Sequence, residues 1–150
     1  MLLLAISILI GDYSFMEKKS LYLMGKLRTA EVSIDEFADE LESRGHIVLA
    51  KWWNMEKLPT PYLDFPETSN TAAKMMIEAA KDSDIAILFP GDTILGAAME
   101  FGAALGSTYT NPDKSVIVVN PFEVRQSVFY AHEAVIAVRG ISRIREMDWF

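Results

Sequence analysis

Apolar runs of strand length alternate with segments of helical period along most of the chain. Residues 21–24, 85–89 and 116–119 are almost continuously apolar, which is typical of strands buried on both faces. Such strands belong to parallel sheets that are covered by helices. The alternation therefore predicts an α/β fold with a single doubly wound parallel sheet, of the flavodoxin or Rossmann type.

The predicted order is β-α-β-α-β-α-β-α-β, which gives one five-stranded sheet with helices on both faces. We predict strands over residues 21–24, 46–50, 85–89, 116–119 and 135–138, and helices over residues 32–43, 71–81, 93–105 and 122–131. A chain of 150 residues that is 51% hydrophobic can bury the core of one domain. We place that domain over residues 16–150.

The first ten residues are almost wholly apolar and need a separate explanation. The run ends at Gly11 and Asp12, short of the roughly 20 residues that a membrane-spanning helix needs. It also lacks the basic start of a signal peptide. The sequence from Met16 reads like an ordinary beginning, so we expect residues 1–15 to be an upstream extension or a misassigned start. We expect no membrane partner and a cytoplasmic location.

Charge and cysteine content argue against several functional classes. The chain carries 14 Lys+Arg against 21 Asp+Glu, a formal net charge of −7, whereas binding of a nucleic acid polymer requires basic side chains that neutralise phosphates. It has no cysteine and two histidines, too few for a thiolate or zinc centre. We predict no nucleic acid polymer as partner, no metal and no organic cofactor.

The ligand of a doubly wound sheet lies at the carboxyl ends of the strands. The loops over residues 25–31, 90–95 and 120–123 would meet there. The first loop contains one glycine, Gly25, where a dinucleotide-binding fingerprint needs three. The sequence therefore disfavours a nicotinamide dinucleotide site.

Glu100 is the one charged residue in the predicted helix over residues 93–105. A carboxylate in apolar surroundings costs free energy unless it is paired, and such placement is typical of catalytic carboxylates. Gly96 lies one turn earlier on the same face, where a ligand could approach the backbone closely. The alternative is an exposed glutamate on the edge of the helix.

Four segments together resemble the nucleoside 2-deoxyribosyltransferase family: residues 21–25 (LYLMG), 80–90 (AKDSDIAILFP), 96–105 (GAAMEFGAAL) and 114–119 (KSVIVV). The resemblance covers about residues 20–138. It implies that Glu100 is the nucleophile that attacks C1′ of a nucleoside or nucleotide through an oxocarbenium-like transition state. It also implies that the Tyr22 hydroxyl orients Glu100, although a strand tyrosine can equally be a core residue.

The same resemblance suggests residues that bind the substrate. Gly25 would let the loop pass close to the sugar or a 5′-phosphate, which Lys26 and Arg28 would neutralise, unless these two are ordinary surface charges. Trp52 and Trp53 are candidates for stacking on the base. Adjacent residues of an extended segment point to opposite faces, so one of them, which we take as Trp53, would reach the ligand.

Ser127, with Gln126, falls where family members reach into the site of a neighbouring subunit, which implies a homodimer or a larger homo-oligomer. The alternative is an amphipathic helix with a chance serine. His132 has no evident base or metal partner, and we interpret it as a surface or satisfied histidine.

Two departures from the family pattern put rate and substrate in doubt. Met76 and Ile94 stand where the family has acidic or polar residues, which help to protonate the leaving base or hold sugar hydroxyls. Asp92 is a candidate substitute that would line the far side of the pocket. It is also a candidate N-cap of the helix.

Three functions follow as hypotheses. The first is an enzyme acting on an N-glycosidic bond, either a 2-deoxyribosyltransferase or a hydrolase of nucleosides or 5′-monophosphates. The second is a nucleotide-binding module of the same fold that has lost activity together with the acids replaced by Met76 and Ile94. The third is an unrelated flavodoxin-like binding or signalling domain, which would be expected to carry an acidic cluster or a phosphate-binding nest.

Overall fold

A computed structural model describes residues 17–150. The predicted extension over residues 1–15 lies outside the described residues. The chain forms a five-stranded sheet in the order β2-β1-β3-β4-β5, in which every pair of neighbours is parallel. The strands are β1 (Ser20–Gly25), β2 (Ile47–Val48), β3 (Ile85–Phe89), β4 (Ser115–Val119) and β5 (Val135–Val138). This order confirms the predicted doubly wound α/β fold.

Four α-helices accompany the sheet within the described residues: α1 (Ile34–Ser43), α2 (Pro66–Asp82), α3 (Leu95–Ser107) and α4 (Ile141–Arg145). Alternate residues of β1 divide between the two faces. Leu21 and Leu23 pack in a cluster with residues of α1 and α4. Tyr22 and Met24 pack in a second cluster with residues of α2 and α3. The sheet is therefore covered on both faces, as its apolar strands require.

Local sequence explains where two of the helices begin. Ser33 and Glu36 form a capping box at the start of α1, which satisfies backbone N–H groups that have no partner within the helix. Pro66 occupies the first turn of α2, a position where the missing N–H costs nothing. This helix begins five residues before the predicted Thr71. None of the helices among residues 17–150 is both long and apolar enough to cross a membrane.

The predicted helix over residues 122–131 is wrong. Two 3₁₀ turns, Pro121–Glu123 and Val128–Ala131, occupy this region. Asn120 adopts a left-handed conformation with φ of 52° and Val124 is extended, so the chain turns twice instead of continuing helically. α4 was not predicted, because its five residues are too few to show a periodic pattern. β2 has two residues rather than the predicted five.

The connections place a crevice at the carboxyl end of the sheet. The chain leaves β1 toward β2 on one side and leaves β3 toward β4 on the other. The loops after β1 and β3 therefore diverge, and this is the topological switch point at which open α/β sheets bind ligands. The Lys26 backbone N–H still donates to the Phe89 carbonyl oxygen over 2.9 Å, which holds the two loops together at their origin.

Candidate functional site

A buried pair of side chains lies beside this crevice. Glu100, in the second turn of α3, is 8% exposed, and Tyr22, in the centre of β1, is fully buried. The Tyr22 hydroxyl donates a hydrogen bond of 3.0 Å to Glu100 Oε2. β1 is fixed by strands on both sides, so Tyr22 holds one carboxylate oxygen against a rigid part of the fold.

Burial sets the protonation of both groups. Desolvation raises the pKa of Glu100 above its ordinary value, and the hydrogen bond from Tyr22 opposes that rise. Burial raises the pKa of Tyr22, and the neighbouring Glu100 carboxylate raises it further. Tyr22 therefore remains a proton donor to the carboxylate at neutral pH. A carboxylate in this state is weakly solvated and reactive, as a nucleophile requires.

Glu100 opens onto a cleft of about 750 Å³ between the end of β1 and helices α2 and α3. A volume of this size fits a small organic ligand. The apolar part of its walls includes Leu58, Ala72, Met76, Ile94, Ala97 and Met99. No Asp, His, Lys or Arg among residues 17–150 lines the cleft beside Glu100. The site is thus one carboxylate in an apolar, partly aromatic cavity.

Both glycines predicted for the site line this cleft, Gly25 at the end of β1 and Gly96 in the first turn of α3. Gly25 has a φ of +109°, and a Cβ there would lie 2.0 Å from the Phe89 carbonyl oxygen. No side chain fits that contact. A Cβ on Gly96 would meet nothing within 4 Å, so its hydrogen leaves open space at the mouth of the cleft.

The two adjacent tryptophans have different positions. Trp52 lines the cleft, and its Nε1 donates to the Leu23 carbonyl oxygen over 2.8 Å. Trp53 is not among the residues that line the cleft; it packs against the core on the α1 side and edge-on against Trp52. Trp52, and not the predicted Trp53, is therefore the tryptophan that reaches the cleft. A 3₁₀ turn, Trp52–Asn54, replaces the extended segment on which that choice rested.

The two basic residues of the first loop border a different cavity. Lys26 and Arg28 are exposed and line a pocket of about 280 Å³ at the ends of β3 and β4, together with Glu31, Asn120 and Glu123. Gly25, which lines the cleft, is followed directly in the chain by Lys26, which lines this second pocket. The Lys26 side chain passes over Gly91, where an added Cβ would lie 2.5 Å from Lys26 Cε.

The residues that depart from the family pattern do face the cleft. Met76, on α2, and Ile94, just before α3, both line it, so the cleft is apolar where acidic or polar groups were expected. Asp92 is exposed and does not line the cleft. It is not the N-cap of α3 either, since that position is Ile94. Asp92 Oδ1 instead accepts a hydrogen bond of 3.4 Å from the Arg125 backbone N–H.

The structure places Ser127 away from the cleft within its own chain. It precedes the second 3₁₀ turn, where its Oγ accepts a hydrogen bond of 3.4 Å from the Phe129 N–H. His132 Nε2 lies 3.0 Å from the Tyr109 hydroxyl and His132 Nδ1 accepts from the Ala134 N–H. The histidine is therefore satisfied, as expected.

Sequence reasoning missed part of the cleft wall. Tyr62 and Ser69 line the cleft, although both lie in the polar segment that was predicted to be irregular. Tyr62 belongs to a 3₁₀ turn, Tyr62–Asp64, directly before α2. The predicted helix began at Thr71, and an earlier start at Pro66 would have drawn attention to this turn. Within residues 17–150, no three metal-binding side chains lie close enough together to hold a metal ion.

Comparisons with known proteins add no relative. No family model matches the chain, and no curated protein matches it either. What the cleft can do is therefore judged from its own geometry. A buried carboxylate, fixed by a buried tyrosine and facing an apolar cavity with an aromatic wall, is suited to attack or to stabilise a cationic carbon centre.

Proposed function

We propose that this chain is an N-glycosidic bond enzyme, a nucleoside 2-deoxyribosyltransferase-like transferase or a nucleoside or nucleotide hydrolase. The observation that carries the proposal is the Tyr22–Glu100 hydrogen bond of 3.0 Å at the wall of an apolar cleft. The resemblance to the nucleoside 2-deoxyribosyltransferase family, noted from four sequence segments, agrees with this placement of a carboxylate at the switch point.

Glu100 is the nucleophile in this proposal. Its carboxylate attacks C1′ of the sugar as the bond to the base breaks, and the fixed negative charge stabilises the oxocarbenium-like transition state. The Tyr22 hydrogen bond to Oε2 leaves Oε1 for the attack. The glycosyl ester is then resolved by a second base in a transferase or by water in a hydrolase, with net retention at C1′.

Two further groups support a nucleoside or nucleotide as the substrate. Trp52 brings an indole to the cleft wall, held in place through its hydrogen bond to Leu23, and an aromatic face suits stacking on a base. Lys26 and Arg28 border the second pocket together with Glu31 and Glu123, and the two cations would attract the phosphate of a 5′-monophosphate. We therefore include 5′-monophosphates among the substrates.

The alternative function is a nucleotide-binding module without turnover. Met76 and Ile94 favour it, because both line the cleft and neither can protonate a departing base. A ligand would then be held by apolar and aromatic contacts, with Glu100 as a fixed negative charge. This alternative predicts saturable binding of nucleosides that is not followed by cleavage.

We also propose a homo-oligomer. Leu95 and Met99 on α3 are 84% and 67% exposed, and Val128 and Phe129 are 81% and 60% exposed. Large apolar side chains at such exposure favour an interface. Sedimentation of the wild-type protein and of a Leu95→Lys, Met99→Lys variant tests this, with a monomeric wild type as the contradicting result.

Chromatography of reaction mixtures tests the enzymatic proposal. Wild-type protein and Glu100→Gln are incubated with nucleosides and 5′-monophosphates, ribo and 2-deoxy, with and without a second free base. We expect the wild type alone to release or exchange the base. Exchange identifies a transferase and release identifies a hydrolase. No turnover, combined with saturable binding in a parallel titration, would replace the enzyme by the binding module.

A further inference from the structure

The charged side chains that line the cleft restrict which leaving groups can depart from a substrate bound there. Among residues 17–150, Glu100 is the one acidic side chain on the walls, and no basic or imidazole group accompanies it. The remaining polar side chains on the walls are the hydroxyl groups of Tyr62, Ser69 and Thr93. Met76 and Ile94 occupy the two wall positions where the resembled family has acidic or polar residues. The cleft therefore holds a nucleophile and lacks a carboxylic acid or imidazole that would give a proton to the departing group.

A neutral base and a cationic base differ in what they need from the enzyme. When the C1′–N bond of a neutral nucleoside breaks, the base leaves as an anion unless a general acid protonates it, and such an acid contributes about 10²–10⁴-fold to the rate. A ring nitrogen that is already positively charged becomes neutral as it leaves. It needs no proton.

We propose that the preferred substrates of this cleft are N-glycosides whose leaving group is a cationic heteroaromatic ring, such as an N-ribosylpyridinium or an N7-alkylated purine nucleoside. This inference rests on the proposed function, since it assumes that Glu100 attacks C1′. It adds the chemical class of the leaving group, which the fold and the nucleophile alone leave open.

The step balances without a second protein acid. Glu100 carboxylate oxygen forms a bond to C1′ while the electron pair of the C1′–N bond moves to the ring nitrogen and cancels its positive charge. The products are a glycosyl ester of Glu100 and a neutral heteroaromatic base. Water then attacks C1′, the carboxylate leaves, and the proton of the water passes to solvent, which regenerates Glu100.

The walls of the cleft also favour a cation in the ground state. Glu100 supplies a negative charge in surroundings of low polarity, where an ion pair is stronger than in water. Trp52 and Tyr62 add aromatic side chains to the walls, and aromatic faces attract cations. The apolar Met76 and Ile94 offer a neutral base no hydrogen bond that would compensate for its lost water.

A matched pair of substrates tests the inference: 7-methylguanosine and guanosine, each as ribo and 2-deoxy forms. Rates are divided by the uncatalysed rate of the same compound, because the cationic nucleoside is intrinsically more labile. We expect the wild type to accelerate 7-methylguanosine at least about 10²-fold more than guanosine, the lower bound of a general acid's contribution. Glu100→Gln should remove both activities.

Two variants that add an acid sharpen the test. Met76→Asp and Ile94→Asp should each raise guanosine turnover relative to 7-methylguanosine turnover, because the added acid assists only the base that must be protonated as it leaves. Ile94→Asp is expected to fold, because aspartate is favoured at the N-cap position that Ile94 occupies in α3. If the ratio of 7-methylguanosine turnover to guanosine turnover is the same in both folded variants as in the wild type, the inference is overturned.

The remaining outcomes separate the inference from the proposed function. Equal acceleration of both compounds by wild type, lost in Glu100→Gln, overturns the cationic preference and keeps the glycosidic enzyme. Loss of guanosine turnover alone in Tyr62→Phe would identify that phenol as the missing acid and also overturn the preference. No turnover of either compound by wild type overturns both.

Discussion

Two buried charged side chains lie at opposite ends of the sheet and are satisfied very differently. Lys114, at the amino end, is 6% exposed, and Glu100, at the carboxyl end, is 8% exposed. Lys114 Nζ donates to the backbone oxygens of Lys81 and Ser83 and to Ser83 Oγ. Glu100 accepts a single side-chain hydrogen bond among the residues that the structure describes, the one from Tyr22.

Asp84, also at the amino end, is held by several hydrogen bonds as well. Asp84 Oδ2 accepts from the backbone N–H and the hydroxyl of Ser20 over 2.7 and 2.8 Å, and the Asp84 N–H donates back to Ser20 Oγ over 3.0 Å. These bonds tie the beginnings of β1 and β3 together. The comparison teaches that a buried charge with every partner in place serves the fold, whereas one left open toward a cavity is available for chemistry.

The largest expected effect is on turnover, which should distinguish a change at Glu100 from a change at Lys114. Glu100→Gln should lower turnover by about 10³-fold or more, because an amide is not a nucleophile toward C1′. Lys114→Met should leave turnover per folded molecule unchanged, since Lys114 lies at the other end of the sheet. Steady-state kinetics on both variants, normalised by circular dichroism, makes the measurement. Comparable losses in both would show that the cleft is not the active site.

The next effect compares two glycines with positive φ, one near each end. Gly25→Ala should cost about 3 kcal/mol, because backbone strain adds to the clash of the new Cβ with the Phe89 carbonyl. Gly45→Ala, with a φ of +93° and nothing within 4 Å of the new Cβ, should cost about 1 kcal/mol from strain alone. Urea denaturation measures both. Equal losses would mean that the close approach of β1 to Phe89 is unimportant.

Lys114→Met should reduce the free energy of unfolding by about 2 kcal/mol, because the carbonyls of Lys81 and Ser83 lose their donor. Glu100→Gln should keep or slightly raise the melting temperature. Burial raises the pKa of Glu100, so its ionised form costs stability at neutral pH, and an amide removes that cost. Thermal unfolding at pH 7 checks the pair, and a loss of stability in Glu100→Gln as large as that in Lys114→Met would refute the contrast between the two ends.

The pH dependence of stability gives a finer test of the amino end. Burial lowers the pKa of Lys114 from 10.5 to about 8, partly offset by the carboxylates of Asp84 and Asp82. Between these two values the unfolded chain binds more protons than the folded one, so the free energy of unfolding should rise with pH. Denaturation from pH 7.5 to 10.5 should show that rise in wild type and a smaller one in Lys114→Met.

The smallest expected effect concerns Tyr22. Its hydrogen bond lowers the pKa of Glu100 against the rise caused by burial, so Tyr22→Phe should raise that pKa further. The acid limb of kcat/KM, where Glu100 must lose its proton, should move to higher pH, and turnover at neutral pH should fall by about 10-fold. An unmoved acid limb with reduced turnover would make Tyr22 a packing residue only.

Burial explains which features of the fold could be predicted from the sequence. The three central strands β1, β3 and β4 could be predicted because burial on both faces leaves continuous apolar runs. Glu100 stood out because its helix carries no other charge. The false helix over residues 122–131 had apolar residues at suitable spacing, yet Phe122 and Val128 are 50% and 81% exposed. Spacing alone does not reveal whether another element covers an apolar face.

The site was harder to predict than the sheet, because its walls come from distant segments. The choice between Trp52 and Trp53 assumed an extended segment, whereas the chain forms a 3₁₀ turn over Trp52–Asn54. Tyr62 reaches the cleft from a loop with no periodic signal. Asp92 was a reasonable cap from its position, but α3 begins two residues later than predicted, at Leu95, and this shift takes Asp92 away from the cap.

The residues around the cleft are of two kinds, those fixed in the core of the sheet and those at the cleft wall. Tyr22 is locked into the core of the central strand, whereas Met76 and Ile94 are half-buried residues at the cleft wall, contributed by two different segments. A single replacement at either wall position changes what the cavity offers a bound molecule without disturbing the strand that holds Glu100. In evolutionary terms, this architecture lets the range of bound molecules drift by one-step changes while the carboxylate stays in place.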